Sequence, residues 1–152
     1  MLIQKSGYYS RAAASNAQDL SRHISQPMFL TAETPRTSYY VGEPFVLTWN
    51  LNFHTEVQVS SVETIKTPEL HGMLAEEMID ENTRTRIRTR TIAGKKMHYA
   101  TRSLLLVTGL SPGRVVVDPM AMRVTTGNRW TRSQRYTVKS EPFTFDLLPL
   151  PY

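Results

Sequence analysis

The sequence predicts an all-β chain folded as an antiparallel β-sandwich, and three observations carry that prediction. Residues 45–53 alternate strictly, with Phe45, Leu47, Trp49, Leu51 and Phe53 on one side and Val46, Thr48, Asn50 and Asn52 on the other. That is the period of an extended strand with one buried face. Turn-forming Gly, Pro, Asn and Asp recur along the chain at roughly the 8–12-residue spacing of short strands in a sandwich. No stretch shows the helical period. A closed barrel is the alternative architecture.

Taken in order, the residues up to Gln26 are polar and aperiodic, which predicts a flexible leader or linker, 1–26, that adds little to the core. Ser15-Asn16-Ala17 also looks like the remnant of a cut expression tag. Met28–Glu33 and Thr37–Val41 read as a strand broken at Pro35, and Gly42-Glu43-Pro44 as the turn into the alternating strand. Trp49 falls on the apolar side of that strand and is expected in the core. Val57–Val62 is rich in β-branched residues and precedes a loop with Pro68 and Gly72. Leu74–Ile79 and Thr83–Ile92 flank Asp80-Glu81-Asn82 and predict a hairpin. Tyr99–Val107 and Arg114–Val117 flank Gly109-Leu110-Ser111-Pro112-Gly113, again strand, turn, strand. Met120–Thr125, Arg135–Lys139 and Pro142–Leu148 complete one domain, 27–152, with a proline-rich exit.

At 152 residues the chain has room for one domain and not two. It has no cysteine, which excludes disulfides, thiolate metal sites and cysteine nucleophiles. Its longest aliphatic run, Leu104–Val107, falls far short of the roughly 18 residues of a membrane helix, and the first residues lack the apolar stretch of a secretory signal.

Charge is distributed unevenly. Residues 1–81 carry a net −5 and residues 82–152 a net +10, and from Asn82 to Val117 there are 8 Lys or Arg and no carboxylate. Arg84, Arg86, Arg88 and Arg90 alternate with Thr85, Ile87 and Thr89, so on one strand all four guanidinium groups would share a face, about 7 Å apart. With Lys95, Lys96 and Arg102 they form a candidate docking strip for phosphates, an acidic partner surface or an anionic membrane. The plainer alternative is a charged outer face that keeps the sheet soluble. Glu76, Glu77, Asp80 and Glu81 form a candidate acidic contact, able to pair with the strip or to offer a carboxylate to a metal ion held by a partner.

His23, His54, His71 and His98 stand singly, without metal-ligand spacing, and are expected in solvated loops. No nucleophile elbow, phosphate loop or dinucleotide fingerprint occurs, so no catalytic residue and no cofactor is expected. Residues 84–102 also allow a second reading, a nucleic-acid-binding β-barrel, although aromatic stacking platforms do not sit within the strip.

Several stretches resemble a known family. Phe29-Leu30-Thr31-Ala32 followed by Tyr39-Tyr40-Val41-Gly42-Glu43-Pro44-Phe45-Val46-Leu47-Thr48-Trp49 is similar to the entry of a repeated domain in the BatD-like oxygen-tolerance (aerotolerance) proteins. Pro68-Glu69-Leu70-His71-Gly72, Leu104-Leu105-Leu106 through Ser111-Pro112-Gly113 to Asp118-Pro119, and Ser140-Glu141-Pro142 through Leu148-Pro149-Leu150-Pro151 resemble that domain in order and spacing. The chain departs from the family pattern at Thr108-Gly109-Leu110 and in its arginine alternation. The resemblance implies an immunoglobulin-like sandwich of about seven to nine strands. It further implies one module of a longer, exported, membrane-anchored bacterial protein whose signal and anchor lie outside this chain. Such a domain would act in the periplasm as a non-enzymatic scaffold. Its partners would be neighbouring domains of the same protein and membrane proteins with von Willebrand factor A domains.

Overall fold

A computed structural model describes residues 20, 23–130 and 132–151. Eleven strands are present among them: β1 Met28–Glu33, β2 Ser38–Tyr40, β3 Pro44–His54, β4 Val59–Lys66, β5 Met73–Glu77, β6 Arg88–Ile92, β7 Lys95–Gly109, β8 Gly113–Val117, β9 Ala121–Thr126, β10 Gln134–Lys139 and β11 Phe143–Leu148. A five-residue helix, α1 Glu81–Thr85, lies between β5 and β6.

One sheet runs β1-β3-β7-β5, with β6 also paired to β7. The other layer comprises β10-β9-β4 and β2-β11-β8. These two ladders are one interrupted hairpin. Ser140 N–H donates to Met120 O at 3.0 Å and Met120 N–H to Ser140 Oγ at 2.9 Å, so the pairing crosses the gap between Pro119 and Pro142 in register. Joined in this way, the layers have the A-B-E-D and C-F-G strand orders of an immunoglobulin fold. The chain is therefore an all-β, immunoglobulin-like sandwich. The count exceeds the predicted seven to nine because both strands of that hairpin are broken and β2, β5 and β6 are short. β2 runs parallel to β11, an exception to the antiparallel rule.

The core lies where the alternating strand predicts it. Phe45, Leu47, Trp49, Leu51 and Phe53 of β3 pack against Val117, Met122, Val124, Phe145 and Leu147 of the facing layer. Tyr39 stacks on Phe45 at 3.9 Å between centroids, and Phe145 meets Phe45 edge-on at 5.2 Å. Gly109 leaves room for this packing, since a Cβ there would stand 2.5 Å from Leu147 Cδ1.

Three expectations are corrected. The hairpin of 74–79 with 83–92 does not form, because β5 and β6 both pair with β7 along the same edge, at Met73–Glu77 and Arg88–Ile92. The hairpin formed instead is β6–β7, around Ala93 and Gly94, both at positive φ (50° and 82°) as a two-residue type I′ turn requires. The leader is not idle, since Leu20 is buried with Phe29, Ile92 and Met97, and Ile24 packs against them. Residues 1–19, 21 and 22, including Ser15-Asn16-Ala17, lie outside the described residues. His54 is not a solvated loop residue either. It is buried at the end of β3, and its Nε2 donates to the Ile24 carbonyl at 2.6 Å.

Candidate functional site

The pleat of the first sheet decides which side chains leave the core. On β3 the even-numbered residues point outward, and the register aligns Phe29–Asn52–Tyr99–Arg88, Thr31–Asn50–Thr101 and Glu33–Thr48–Leu104 in successive rows across that outer face. An outer sheet face is ordinarily solvated. Here Asn50 and Asn52 are buried, at 5% and 0% exposure. Their burial is possible because the polar groups of this face satisfy one another.

Glu33 and Arg90 are the centre of that network. Arg90 Nη1 donates to Glu33 Oε1 at 3.1 Å and Nη2 to Oε2 at 2.9 Å, the bidentate geometry of a guanidinium on a carboxylate. Thr31 Oγ1 and Asn50 Nδ2 also donate to Glu33 Oε2, at 2.6 and 2.9 Å. Arg90 Nε donates to Asn52 Oδ1 at 3.2 Å, Thr101 Oγ1 to Asn50 Oδ1 at 2.7 Å, and Asn52 Nδ2 to Thr31 Oγ1 at 3.2 Å. The Arg90 guanidinium lies 4.5 Å from the Tyr99 ring centroid, within cation–π range. Burial alone would raise the Glu33 pKa, but the Arg90 hydrogen bonds and charge, with the Asn50 and Thr31 donors, outweigh it and hold the carboxyl below its ordinary range.

Around this network the face forms an open groove of about 570 Å³, lined on one side by Glu33, Thr48 and Asn50 and on the other by Thr83, Arg88 and Tyr99. Toward the β5 end several outward positions are apolar, with exposed Glu76 among them opposite Leu106. Val46 and Leu74 are exposed and Leu106 partly so, and Met78, whose N–H donates to Leu104 O at 2.8 Å, continues the register as another exposed apolar residue. Exposed apolar side chains gathered on one solvent-facing sheet surface are a mark of an interaction site.

The predicted basic strip is not one surface. Arg84 sits in α1, Arg86 caps its C-terminus in extended geometry, and only Arg88 and Arg90 lie on β6. A strand period requires a strand, and the chain is helical up to Thr85, so the four guanidinium groups do not line up. Arg88 and Arg90 enter the groove. Arg88 has no carboxylate partner among the described residues, whereas Arg90 is committed to Glu33. Lys95 and Lys96 are exposed where β7 leaves the β6–β7 turn. Arg102 joins Arg84 elsewhere, at the flank where α1 lies. Register shifts between Trp49↔Ser103 and Asn50↔Thr101, which leaves Arg102 as the extra residue of a β-bulge. Its Nη1 donates to the Arg84 carbonyl at 3.1 Å.

The acidic residues are dispersed as well. Glu76 is exposed opposite Leu106, and Glu77 accepts from Ser103 Oγ at 3.2 Å. Asp80 caps α1 by accepting from Thr83 N at 2.7 Å, and Glu81 Oε2 lies 3.8 Å from Arg84 Nη1. Among the described residues no group of three or more His, Asp or Glu could hold a metal ion. No helix there is long and apolar enough to cross a membrane.

No family model and no curated protein matches the chain. Among solved structures it is similar to a cohesin module from a family 33 glycoside hydrolase of Clostridium perfringens, with 11% identity and a TM-score of 0.45, covering 80% of this chain and 96% of that one. The architecture stated above rests on the strand order and not on this distant likeness.

Proposed function

We propose that this domain is a non-enzymatic interaction module of a BatD-like envelope protein, exported and anchored through parts of a longer chain. The outer face of its β1-β3-β7-β5 sheet is the surface that holds a protein partner. The observation that carries this reading is the composition of that face: exposed Val46, Leu74 and Met78 lie next to a groove in which the titratable groups Glu33 and Arg90 are locked together. A carboxylate bound by three different side chains is poorly placed to exchange protons with a substrate. A rigid polar floor beside an apolar stretch instead suits an extended protein segment. Arg88 at the rim selects a segment with a carboxylate next to its apolar side chains. The turn at Val41-Gly42-Glu43, which resembles the family, supports the same reading. Glu43 accepts from Tyr40 N at 2.9 Å and pairs with Arg36, fixing the entry to β3 that presents this face.

The test is recovery from an envelope extract, comparing the wild-type chain with Val46→Asp/Arg88→Glu and with Arg86→Ser/Lys95→Ser/Lys96→Ser. The expected result is a membrane protein with a von Willebrand factor A domain, retained by the second variant and lost by the first. Equal recovery by both variants would remove the groove as the contact. Recovery of nucleic acid alone, falling steeply with salt, would replace this reading with the nucleic-acid one.

A further inference from the structure

We propose that Arg84 and Arg102 form a second site, independent of the groove, for a small carboxylate carrying a short apolar tail. Two arginines 18 residues apart are brought together at the flank of the sandwich, where Arg102 is pushed out by its bulge and tied to the Arg84 carbonyl. Like charges held side by side repel. Glu81, exposed and 3.8 Å from Arg84, pairs with Arg84 alone. The Nε atoms of both arginines are buried without a hydrogen-bond partner. A buried donor left unsatisfied is costly, and both arginines line the adjacent cavity, where a carboxylate would meet the accessible part of their guanidinium groups. Desolvation and then the neighbouring Arg84 charge lower the Arg102 pKa, and Glu81 offsets only part of this.

The space beside these groups specifies the rest of the ligand. A cavity of about 230 Å³ opens between the sheets, lined by Leu51, Phe53, Val62 and Ala100, with Ile87 on its border. Ile87 is 55% exposed, an apolar residue without cover. The cavity is open to solvent and wide enough for a short aliphatic chain, which makes a carboxylate such as hexanoate a suitable probe. Inorganic phosphate would satisfy the arginines and leave the apolar space empty. The same chemistry has two sources, a free short-chain fatty acid or the C-terminal residue of a peptide ending in an aliphatic side chain.

The experiment is an NMR titration of the full ¹⁵N-labelled chain with hexanoate, N-acetylleucine, hexanol and inorganic phosphate. Saturable shifts at Ser61, Ile87 and Ala100 are expected with hexanoate and absent with hexanol. Affinity should rise about fourfold per methylene from butyrate to hexanoate. Arg102→Met should weaken hexanoate about tenfold or more, and Arg84→Met, which leaves the bulge intact, should do likewise if the first variant fails to fold. Arg88→Met should leave binding unchanged, which separates this site from the groove. Tighter binding of N-acetylleucine assigns the site to a peptide terminus, and tighter binding of hexanoate assigns it to a free acid. Equal binding of hexanol, competition by phosphate at equal affinity, unaltered binding in both arginine variants, or no saturable shift with millimolar hexanoate would each overturn the proposal.

Discussion

Removing the Arg90 charge tests whether the network on the outer sheet face is a structural unit. In Arg90→Met the aliphatic stem survives, but Glu33 loses both bidentate hydrogen bonds and Asn52 Oδ1 loses the Arg90 Nε donor. Breaking one partner of a buried ion pair costs about 3–5 kcal/mol. Both side chains here are partly exposed, 25% for Arg90 and 21% for Glu33, and Asn50 and Thr31 still donate to the carboxylate. The expected cost near neutral pH is therefore lower, about 2–4 kcal/mol. The pH dependence follows from the sign of the Glu33 shift. In the wild type its folded pKa is depressed, so its contribution is present above the unfolded carboxylate pKa and is lost as pH falls through the folded value. In the variant, burial without the guanidinium raises the folded pKa, so the ionised carboxyl opposes folding at neutral pH and this penalty disappears as it protonates. The difference between the two proteins should shrink between about pH 7 and pH 4. Urea unfolding followed by fluorescence of buried Trp49, 1% exposed, measures it directly. A difference below about 1 kcal/mol that stays flat over this range would refute the account of the network.

Gly109→Ala should destabilise the domain by about 1–3 kcal/mol in urea unfolding, because the new Cβ would meet two Leu147 methyl carbons at 2.5 and 2.7 Å and force that buried side chain to move. Ala93→Asn should stabilise it by about 0.5–1 kcal/mol, since Ala93 sits at φ 50° in the first position of a type I′ turn, where asparagine is favoured; a thermal melt reads the gain. Leu20→Ala should cost about 2 kcal/mol or more by the same melt, because Leu20 is buried against Phe29, Ile92 and Met97.

The sequence is most legible where one period runs uninterrupted and bears on one layer. β3 follows its alternation, and Trp49 lies in the core as its side of the strand requires. Strands β8 to β11 fall on the segments expected for them, Arg114–Val117, Met120–Thr125, Arg135–Lys139 and Pro142–Leu148, within a residue or so at each end, and Pro119 and Pro142 lie in the breaks between them. Legibility fails where two structures share a local pattern. Arg84-Thr85-Arg86-Ile87-Arg88-Thr89-Arg90 has period 2 throughout, yet the Asp80 side chain captures Thr83 N–H and turns the first part into a helix too short to show a period of its own. The β6–β7 turn is hidden because alanine is a poor signal for positive φ. The groove is hidden for a different reason. Its ion pair joins residues 57 apart, and its buried asparagines occupy positions that alternation assigns to solvent. Only the register across β1, β3, β7 and β6 brings them together.

That register also explains why both candidate sites occupy one side of the molecule. Along β7, the five residues 100–104 stand opposite the ten residues 78–87, because β5 ends at Glu77↔Leu105 and β6 begins at Arg88↔Tyr99. A strand continued without interruption would cover this edge with alternating side chains and leave neither a wall nor a gap. The surplus chain instead makes α1, whose Thr83 faces the groove while Arg84 and Thr85 face the flank cavity. On β7 the bulge that supplies Arg102 falls within the same uncovered span, next to Trp49 on β3. Bulges concentrate at sheet edges and binding sites, where they redirect a side chain. One excursion from a regular immunoglobulin edge thus furnishes a wall of the groove and a basic residue of the flank site, while the sandwich core beneath it keeps the regular alternation of β3.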